Sequence, residues 1–408
     1  MNIDFLRTSS KTQEMIISYL VILFPVTLIS IKVVGNLILL ILALIGLKIF
    51  IFEKINPFKE RNLRIFSYLF IGYFFLMLFS IILSSGFGPE IKHVARKLHF
   101  LFAPLIALSL YKFKFSFHNL LTSIKLSLPI MALIILIQFY FFDVSRPSGF
   151  INANVFSDLI VTLGFVSIAN IFYETKKDFL LSTLSFSSAL IILIYSASRG
   201  SWVSFVVIFC LFLIFSFRKF SIISKLRRRV ILILLIFFGL LSFNFSKISD
   251  TYYHTIQNIA ISDANQAIYT SSGIRLLIWK SAIKAFNNES PWHGFGYRNV
   301  NKKAAEYSDN HKEIIANFTH LHNEYLTNLL SAGYLGLIYV LSIIFIPLII
   351  FFKSRRDEAK YFLAISGIFV CASYFISGLT HIAFGEEHVN ALYIFMMALL
   401  MPRVLKDL

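Results

Sequence analysis

The sequence predicts an all-α polytopic membrane protein with about 12 transmembrane helices. Of its 408 residues, 57% are hydrophobic and only 14% are charged, and the mean hydropathy is +0.76. A soluble globular domain carries about 25% charged residues. This chain therefore has too little charge to cover itself with a polar surface, and lipid has to solvate much of it.

Twelve apolar runs follow one another, and one long polar segment separates the ninth from the tenth. About 20 apolar residues span a bilayer as a helix. The predicted spans are 15–33, 36–52, 65–84, 98–111, 119–142, 155–173, 179–196, 202–217, 230–245, 335–352, 361–378 and 387–402. The chain thus divides into a membrane domain at 1–245, a polar segment at 246–334 and a second membrane domain at 335–408.

The distribution of lysine and arginine predicts the orientation. With the N-terminus inside, the predicted cytoplasmic segments carry 22 Lys and Arg residues, whereas the short outer loops carry six. Cytoplasmic loops of membrane proteins are enriched in these residues. We therefore expect a bacterial inner-membrane protein with both termini in the cytoplasm and with membrane lipids as its surroundings. Because the positive charges cluster between apolar runs, the net charge of +17 does not indicate nucleic acid as a partner.

The polar segment at 246–334, called the outer segment below, is then periplasmic. It is too long for a simple connector. Apolar residues near helical spacing predict one helix at Ile274–Phe286, and a second, amphipathic helix at Thr319–Leu330 leads into the tenth span. We expect a folded, mostly helical periplasmic loop above the membrane domain.

Two arginines lie where a cation is unexpected. Arg199 follows Ser-Ala-Ser at the outer end of a span, and Arg275 lies on the apolar face of the first predicted helix. Either could be a surface charge that reaches lipid headgroups or solvent. The functional interpretation is an anion site, because a guanidinium group binds phosphate oxygens through two hydrogen bonds.

A tight turn is predicted at Ser-Pro-Trp-His-Gly-Phe-Gly-Tyr-Arg, residues 290–298. Gly294 and Gly296 let the backbone approach another group closely, and we expect both glycines to contribute to substrate binding. The turn is similar to a phosphate-binding loop only superficially, because it lacks the P-loop lysine and follows no strand.

The run His-Leu-His-Asn-Glu-Tyr at 320–325 is the best candidate for acid–base chemistry. Histidine is the side chain best suited to proton transfer near neutral pH. If the segment is helical, the imidazoles of His320 and His322 diverge by about 200° and cannot both face one hydroxyl group. If the helix instead begins later, Asn323 could be its N-cap.

A metal site is the alternative interpretation of these histidines. Possible further ligands lack the regular spacing of common metal sites, so we expect neither a metal nor another cofactor. These residues are His293, His311, Glu313, His381, Glu386, Glu387 and His388.

Together these motifs resemble the signature of bacterial O-antigen ligases. His322-Asn323 is followed after nine residues by Gly333 and after two more by Gly336. The family also has an arginine after small residues at the outer end of a span, matched by Arg199. A Gly-x-Arg-x-x-x-Trp helix followed by Pro-x-x-Gly-x-Gly is matched by Gly273, Arg275, Trp279, Pro291, Gly294 and Gly296.

The resemblance implies a metal-independent glycosyltransferase of lipopolysaccharide biosynthesis. Such an enzyme moves O-polysaccharide from undecaprenyl diphosphate to lipid A–core oligosaccharide. Arg199 and Arg275 would hold the diphosphate and His322 would activate the acceptor hydroxyl, while His320 orients the loop or binds sugar beside Asn323. Four further cations at the outer face could bind phosphates or anchor lipid headgroups: Arg146, Lys92, Arg96 and Lys97.

Two alternatives remain at this point. O-antigen polymerases belong to the same superfamily and transfer to a growing glycan instead. A transporter or flippase for a lipid-linked sugar would place charges or broken helices near the middle of the membrane. Only Lys48, Lys125 and Asp158 fall well within the predicted spans, and no internal repeat is visible, which disfavours transport.

The predicted orientation can be tested with reporter fusions. A reporter near Asn265 or Asp309 is expected to be periplasmic, and one near Lys225 cytoplasmic, because the charge bias reverses between these positions. Alkaline phosphatase and green fluorescent protein activities provide the measurement. A cytoplasmic location for the outer segment would remove the proposed chemistry from its compartment.

Overall fold

The computed structural model describes residues 10–31, 33–85, 91–219, 224–246, 248–249, 253, 270–289, 292–309 and 311–406, and helix dominates this part of the chain. The α-helices are α1 (Ser10–Ser30), α2 (Val34–Phe52), α3 (Arg61–Ser85), α4 (Ile91–Lys112), α5 (Phe117–Phe141), α6 (Ala153–Ile168), α7 (Lys176–Ser196), α8 (Arg199–Lys219), α9 (Ser224–Phe243), α10 (Gly273–Glu289), α11 (Val300–Glu306), α12 (Lys312–Asn317), α13 (Glu324–Ser354), α14 (Tyr361–Thr380) and α15 (Glu387–Leu405). Short 3₁₀ turns lie at Tyr297–Asn299 and Ala383–Gly385.

Ten helices within the described ranges are long and apolar enough to cross a membrane. Two further predicted spans fall on α6, which has only 16 residues, and on α9, whose first turns carry three consecutive arginines at 227–229. The all-helical, multi-pass class is therefore confirmed, whereas the number of twelve spans stays a prediction.

Two helices begin at other residues than the sequence predicts. Helix α4 begins at Ile91, before the predicted span at 98–111, because Arg96 and Lys97 lower the hydropathy of its first turns without preventing helix formation. The predicted helix at 319–330 and the tenth span are two helical stretches of α13, separated by non-helical backbone at Ala332 and Gly333, and the first stretch begins only at Glu324. Asn323 caps it, since the Asn323 side chain accepts a 2.9 Å hydrogen bond from the amide of Leu326.

Helix α15 lies at the centre of the bundle. In its most apolar stretch, 89% of the residues are buried, the largest share among the candidate spans of the described chain. It packs against α2, α3, α4, α13 and α14. The hydroxyl of the fully buried Tyr393 donates to the carbonyl of Ile343 in α13, so its one polar group is satisfied.

The described part of the outer segment has a small apolar core of its own. Helices α10, α11 and α12 contribute most of it, and the start of α13 closes it. Its buried members are Ile274, Ile278, Ala282, Phe286, Val300, Ala304, Ala305, Ile315, Leu321 and Leu330. This cluster fixes α10 relative to α13. It therefore determines the position of Arg275, in α10, relative to the histidine run, which directly precedes α13.

Helix α13 is broken at Ala332 and Gly333, where Gly333 has φ 65° and ψ −156°. The break frees carbonyl groups from the helical hydrogen-bond pattern. The amide of Phe295 donates to the carbonyl of Leu330 at 2.7 Å, and the amide of Gly296 donates to that of Ser331 at 3.0 Å. The predicted turn is therefore docked on the broken helix.

This turn requires glycine because it approaches the backbone of α13 too closely for a side chain. Gly294 has φ 75°, and a Cβ atom there would lie 2.4 Å from the carbonyl carbon of Ser331. Gly296 has φ 82°. The group that the turn approaches closely is thus α13 itself.

Replacing Gly294 with alanine is expected to destabilise the protein by about 1–3 kcal/mol, because the new Cβ collides with α13 and the backbone is left-handed. The measurement is the unfolding temperature of the purified protein in detergent. Gly239→Ala is the matched control, since no atom lies within 4 Å of its added Cβ. Equal unfolding temperatures for the two variants would contradict this account.

Candidate functional site

A polar cavity of about 340 Å³ lies where the ends of α6, α8, α10 and α14 meet. Three arginines from three separate segments share it. Its lining residues are Arg146, Asn154, Asp158, Ala197, Ser198, Arg199, Gly200, Ser201, Ser271, Arg275, Thr380 and His381. The structure thus brings together Arg199 and Arg275, which the sequence singled out, and places Arg146 beside them.

Arg199 is positioned by an abrupt change of chain direction. Helix α7 ends in Ala197, which has the left-handed φ of 50°, and α8 begins at Arg199. The guanidinium group donates to the hydroxyl of Ser271 at 2.9 Å and to that of Ser272 at 3.5 Å, immediately before α10. The first turns of α8 and α10 therefore both face the cavity, and helix N-termini favour anions.

Arg275 lies half-buried in the first turn of α10. Burial lowers the pKa of this guanidinium, and the positive charges of Arg199 and Arg146 lower it further. Neither Arg275 nor Arg146 forms an ion pair with a carboxylate among the described residues. The electrostatic environment of Arg275 is thus dominated by like charges, which a bound anion would relieve.

Arg146 is held from the loop between α5 and α6. It donates to the carbonyl of Ser196 at 3.2 Å and to the side-chain oxygen of Asn154 at 3.0 Å. Burial and Arg199 lower its pKa. The sequence predicts that Arg146 lies at the outer face, where it could bind phosphates or lipid headgroups, and the structure places it on the cavity wall.

A chain of short polar side chains forms the floor of the cavity. The hydroxyl of Ser198 donates to Asn154 at 3.2 Å and lies 2.9 Å from the hydroxyl of Ser201, which donates to Asp158 at 2.7 Å. These bonds orient the polar side chains of the floor. The sequence offered no signal for the serines and Asn154 because such residues are common throughout the spans.

The histidine run is not helical, so the alternative in which Asn323 caps a later helix is confirmed and the diverging arrangement of the imidazoles does not apply. His322 has a left-handed φ of 53°, and α13 begins two residues later. The ring centroids of His320 and His322 are only 4.2 Å apart. Both imidazoles therefore lie side by side, and a non-glycine residue with positive φ at this point is typical of a functional site.

The hydrogen bonds of the run distinguish the two imidazoles. The backbone amide of His322 donates to Nδ1 of His320 at 3.1 Å. Nδ1 of His320 is thus the acceptor, and the neutral ring carries its proton on Nε2. Nδ1 of His322 is buried and has no hydrogen-bond partner in the part of the chain that the structure describes.

Contacts from three helices hold the histidine run in place. Nε1 of Trp279 in α10 donates to the carbonyl of Leu321 at 2.8 Å. The side chain of Asn301 in α11 donates to the carbonyl of His320 at 3.4 Å. Asn323, besides capping α13, donates to the carbonyl of Leu379 at the end of α14 at 3.1 Å. The tryptophan of the predicted motif therefore supports the histidines.

Both imidazoles have pKa values well below the usual histidine value. Burial, with the positive charges of Arg275 and Arg96, lowers the pKa of His320 to about 4. Burial lowers the pKa of His322 to about 3, with contributions from His320, Arg275 and His381. An anion bound beside Arg275 opposes these effects and raises both values.

The other predicted site residues lie at varying distances from the cavity. Arg96 is exposed on α4, near enough to influence His320 electrostatically, and the side chain of Lys92 lies outside the described residues. Gly294 and Gly296 do not line the cavity, and neither do His320 and His322. The imidazole of His320 lies next to the cavity, 6.3 Å from that of His381 between ring centroids.

Sequence analysis missed the importance of Glu324, the residue after Asn323. Its buried carboxylate accepts from the amide of Phe384 at 3.0 Å and from the side chain of Asn328 at 2.7 Å. The ammonium of Lys97 donates to the carbonyl of Phe384. These bonds fix the turn after His381 to the start of α13.

No three His, Cys, Asp or Glu side chains come together as a metal site within the described ranges. The expectation that no metal is needed stays a prediction.

Two comparisons with known proteins bear on this site. Residues 184–341 match a family model described as O-antigen ligase, and this range contains Arg199, Arg275 and the histidine run. An uncharacterized protein of Haemophilus influenzae is 29% identical over 354 residues, which cover 84% of this chain and 86% of that protein.

Proposed function

We propose that this chain is an O-antigen ligase, because residues 184–341 match a family model of that description. It transfers O-polysaccharide from undecaprenyl diphosphate to lipid A–core oligosaccharide at the periplasmic face of the inner membrane. The observation that carries the proposal is the cavity shared by Arg146, Arg199 and Arg275.

The cavity suits a diphosphate. Two helix N-termini and three guanidinium groups converge on it, and both kinds of group bind phosphate oxygens. The cavity lies at the outer ends of membrane helices, where a lipid-linked substrate can present its diphosphate while its tail stays in the bilayer. Polar residues such as Asn154 could orient the adjoining sugar.

The chemistry needs no external energy source. A sugar–diphosphate bond is already activated, and ATP is absent outside the inner membrane. Negative charge develops on the diphosphate as its bond to the sugar breaks. A preorganised donor aimed at such charge contributes about 3–4 kcal/mol to transition-state stabilisation, and three arginines supply several donors without a divalent ion.

His322 is the base in this proposal. The proton of neutral His320 is assigned to Nε2 by the hydrogen bond at Nδ1, so His320 is suited to donate to a sugar oxygen. His322 accepts the proton of the acceptor hydroxyl, and the bound diphosphate raises the low pKa of His322. A positioned base accelerates such a step by about 10²–10⁴-fold.

The decisive experiment compares lipopolysaccharide and lipid-linked intermediates of a deletion strain with those of its parent. Loss of a ligase leaves a bare core oligosaccharide, with polymerised glycan still on the carrier lipid. A core bearing a single repeat unit would identify an O-antigen polymerase instead.

Arg199→Lys and Arg275→Lys are each expected to reduce glycan transfer by about tenfold or more, because lysine keeps the charge but loses the bidentate geometry. Transfer is measured with purified protein, donor and acceptor, with and without chelator, which is expected to have no effect. Arg298→Lys, at an exposed position on the outer segment, is the matched control. Full activity in Arg199→Ala or Arg275→Ala would remove that arginine from the site.

His322→Ala and His322→Asn are expected to abolish transfer while donor binding persists, whereas His320→Ala retains measurable activity. The reason is the difference in hydrogen bonding at Nδ1 of the two rings. Asparagine tolerates the left-handed backbone of residue 322, so that variant separates chemistry from local strain. The opposite ranking at matched protein levels would identify His320 as the base.

A further inference from the structure

Two ionisable residues of the cavity have no role in the function proposed above. Asp158 lies in α6, and His381 follows the last residue of α14; both line the cavity with the three arginines. The carboxylate of Asp158 and the imidazole of His381 are 8% and 12% exposed, and their nearest oxygen and nitrogen atoms are 4.0 Å apart. They are the acidic and basic partners of a loosely formed pair.

Nδ1 of His381 is a buried atom without a hydrogen-bond partner in the described chain. Such atoms are uncommon in folded proteins and require an explanation. It faces Oδ2 of Asp158, while Oδ1 of Asp158 accepts from Ser201. A small approach would create an Nδ1–H···Oδ2 hydrogen bond, which is strongest when the imidazole is protonated.

We propose that His381 is a second catalytic residue of the transfer reaction, and that it donates a proton from Nε2 to the departing diphosphate oxygen. Asp158 is the positioning residue that holds the imidazolium through Nδ1. This inference rests on the proposed function, because it assigns a role in the same site to the leaving group.

The proton balance of the step is complete. The acceptor oxygen forms a bond to the anomeric carbon of the sugar, and its proton goes to His322. The bond between that carbon and the diphosphate oxygen breaks, and the oxygen receives the proton of His381. The ring of His320 neighbours both, 4.2 Å from His322 and 6.3 Å from His381 between centroids. A proton returning along this path, with water, restores both residues.

Binding of the donor prepares His381 for this role. Burial, His320 and Arg275 lower the pKa of His381 to about 3, so before the donor binds the ring is neutral at neutral pH. Two phosphate charges next to it favour the imidazolium and raise that pKa. The donor should therefore bind with proton uptake and more tightly as the pH falls. The titratable and charged groups that face His381 are Asp158, Arg275, His320, His322 and, across the cavity, Arg146 and Arg199.

Calorimetry in two buffers of different ionisation enthalpy measures this uptake. The probe is a short-chain polyprenyl diphosphate sugar, whose phosphate diesters do not titrate near neutral pH. At mildly acidic pH the wild-type protein is expected to take up about one proton more than His381→Asn does on binding. His293→Asn, an exposed histidine of the outer segment, is the matched control. Equal uptake by wild type and His381→Asn would overturn the proposal.

Kinetics test the role in leaving-group departure. His381→Asn should reduce kcat on the order of 10²-fold with little change in KM for the donor. Asp158→Asn should reduce kcat less, and it should shift the pH profile of kcat in the same direction as His381→Asn does. A donor in which difluoromethylene replaces the oxygen between the two phosphorus atoms has a more acidic leaving group than the natural donor. It should restore much of the activity of His381→Asn but not of His322→Asn. Equal deficits with both donors would overturn the assignment.

The two proposals fail separately. Donor binding without any glycan transfer by the wild-type protein would refute the ligase function. The number of protons taken up when the donor binds would still report on His381.

Discussion

Mutual repulsion among Arg146, Arg199 and Arg275 is the constraint on which the helix ends around the cavity depend. Each guanidinium comes from a different segment. Burial lowers the pKa of Arg146 and of Arg275, and neighbouring arginines lower both further. Such an arrangement persists because the surrounding helices are held by independent contacts. The cavity is thus preorganised for an anion, whose binding relieves a repulsion that already exists.

The contacts that resist this repulsion are polar and local. Serine hydroxyls before α10 bind Arg199, Asn154 binds Arg146, and the carboxylate of Glu324 fixes the turn that follows His381. Buried polar groups with satisfied hydrogen bonds specify one arrangement of their neighbours. The same scaffold holds the imidazoles next to the arginines. One set of helix ends therefore aligns the groups proposed to bind the diphosphate with the groups proposed to transfer protons.

Much of the fold could be predicted from the sequence, because apolar length and charge bias report directly on membrane helices. Arg199 and Arg275 could also be singled out from the sequence, since a cation is unexpected at both positions, and the structure places both on the wall of one cavity. By contrast, the close approach of the His320 and His322 rings, which meet edge to face, depends on the left-handed backbone at residue 322, which helical periodicity cannot reveal. Asp158 and His381 are 223 positions apart, and only the packing of α6 against α14 brings them together.

The break in α13 has a consequence for biogenesis. Its carbonyls at Leu330 and Ser331 are satisfied by amides of the turn at 295–296 and by the hydroxyl of Ser80 in α3. A carbonyl without a partner beside hydrocarbon costs several kcal/mol. The helix therefore reaches its final hydrogen-bonded form only after the preceding turn has folded onto it. Membrane insertion of this span and maturation of the outer segment are coupled events, and an error in either should present the other to quality-control proteases.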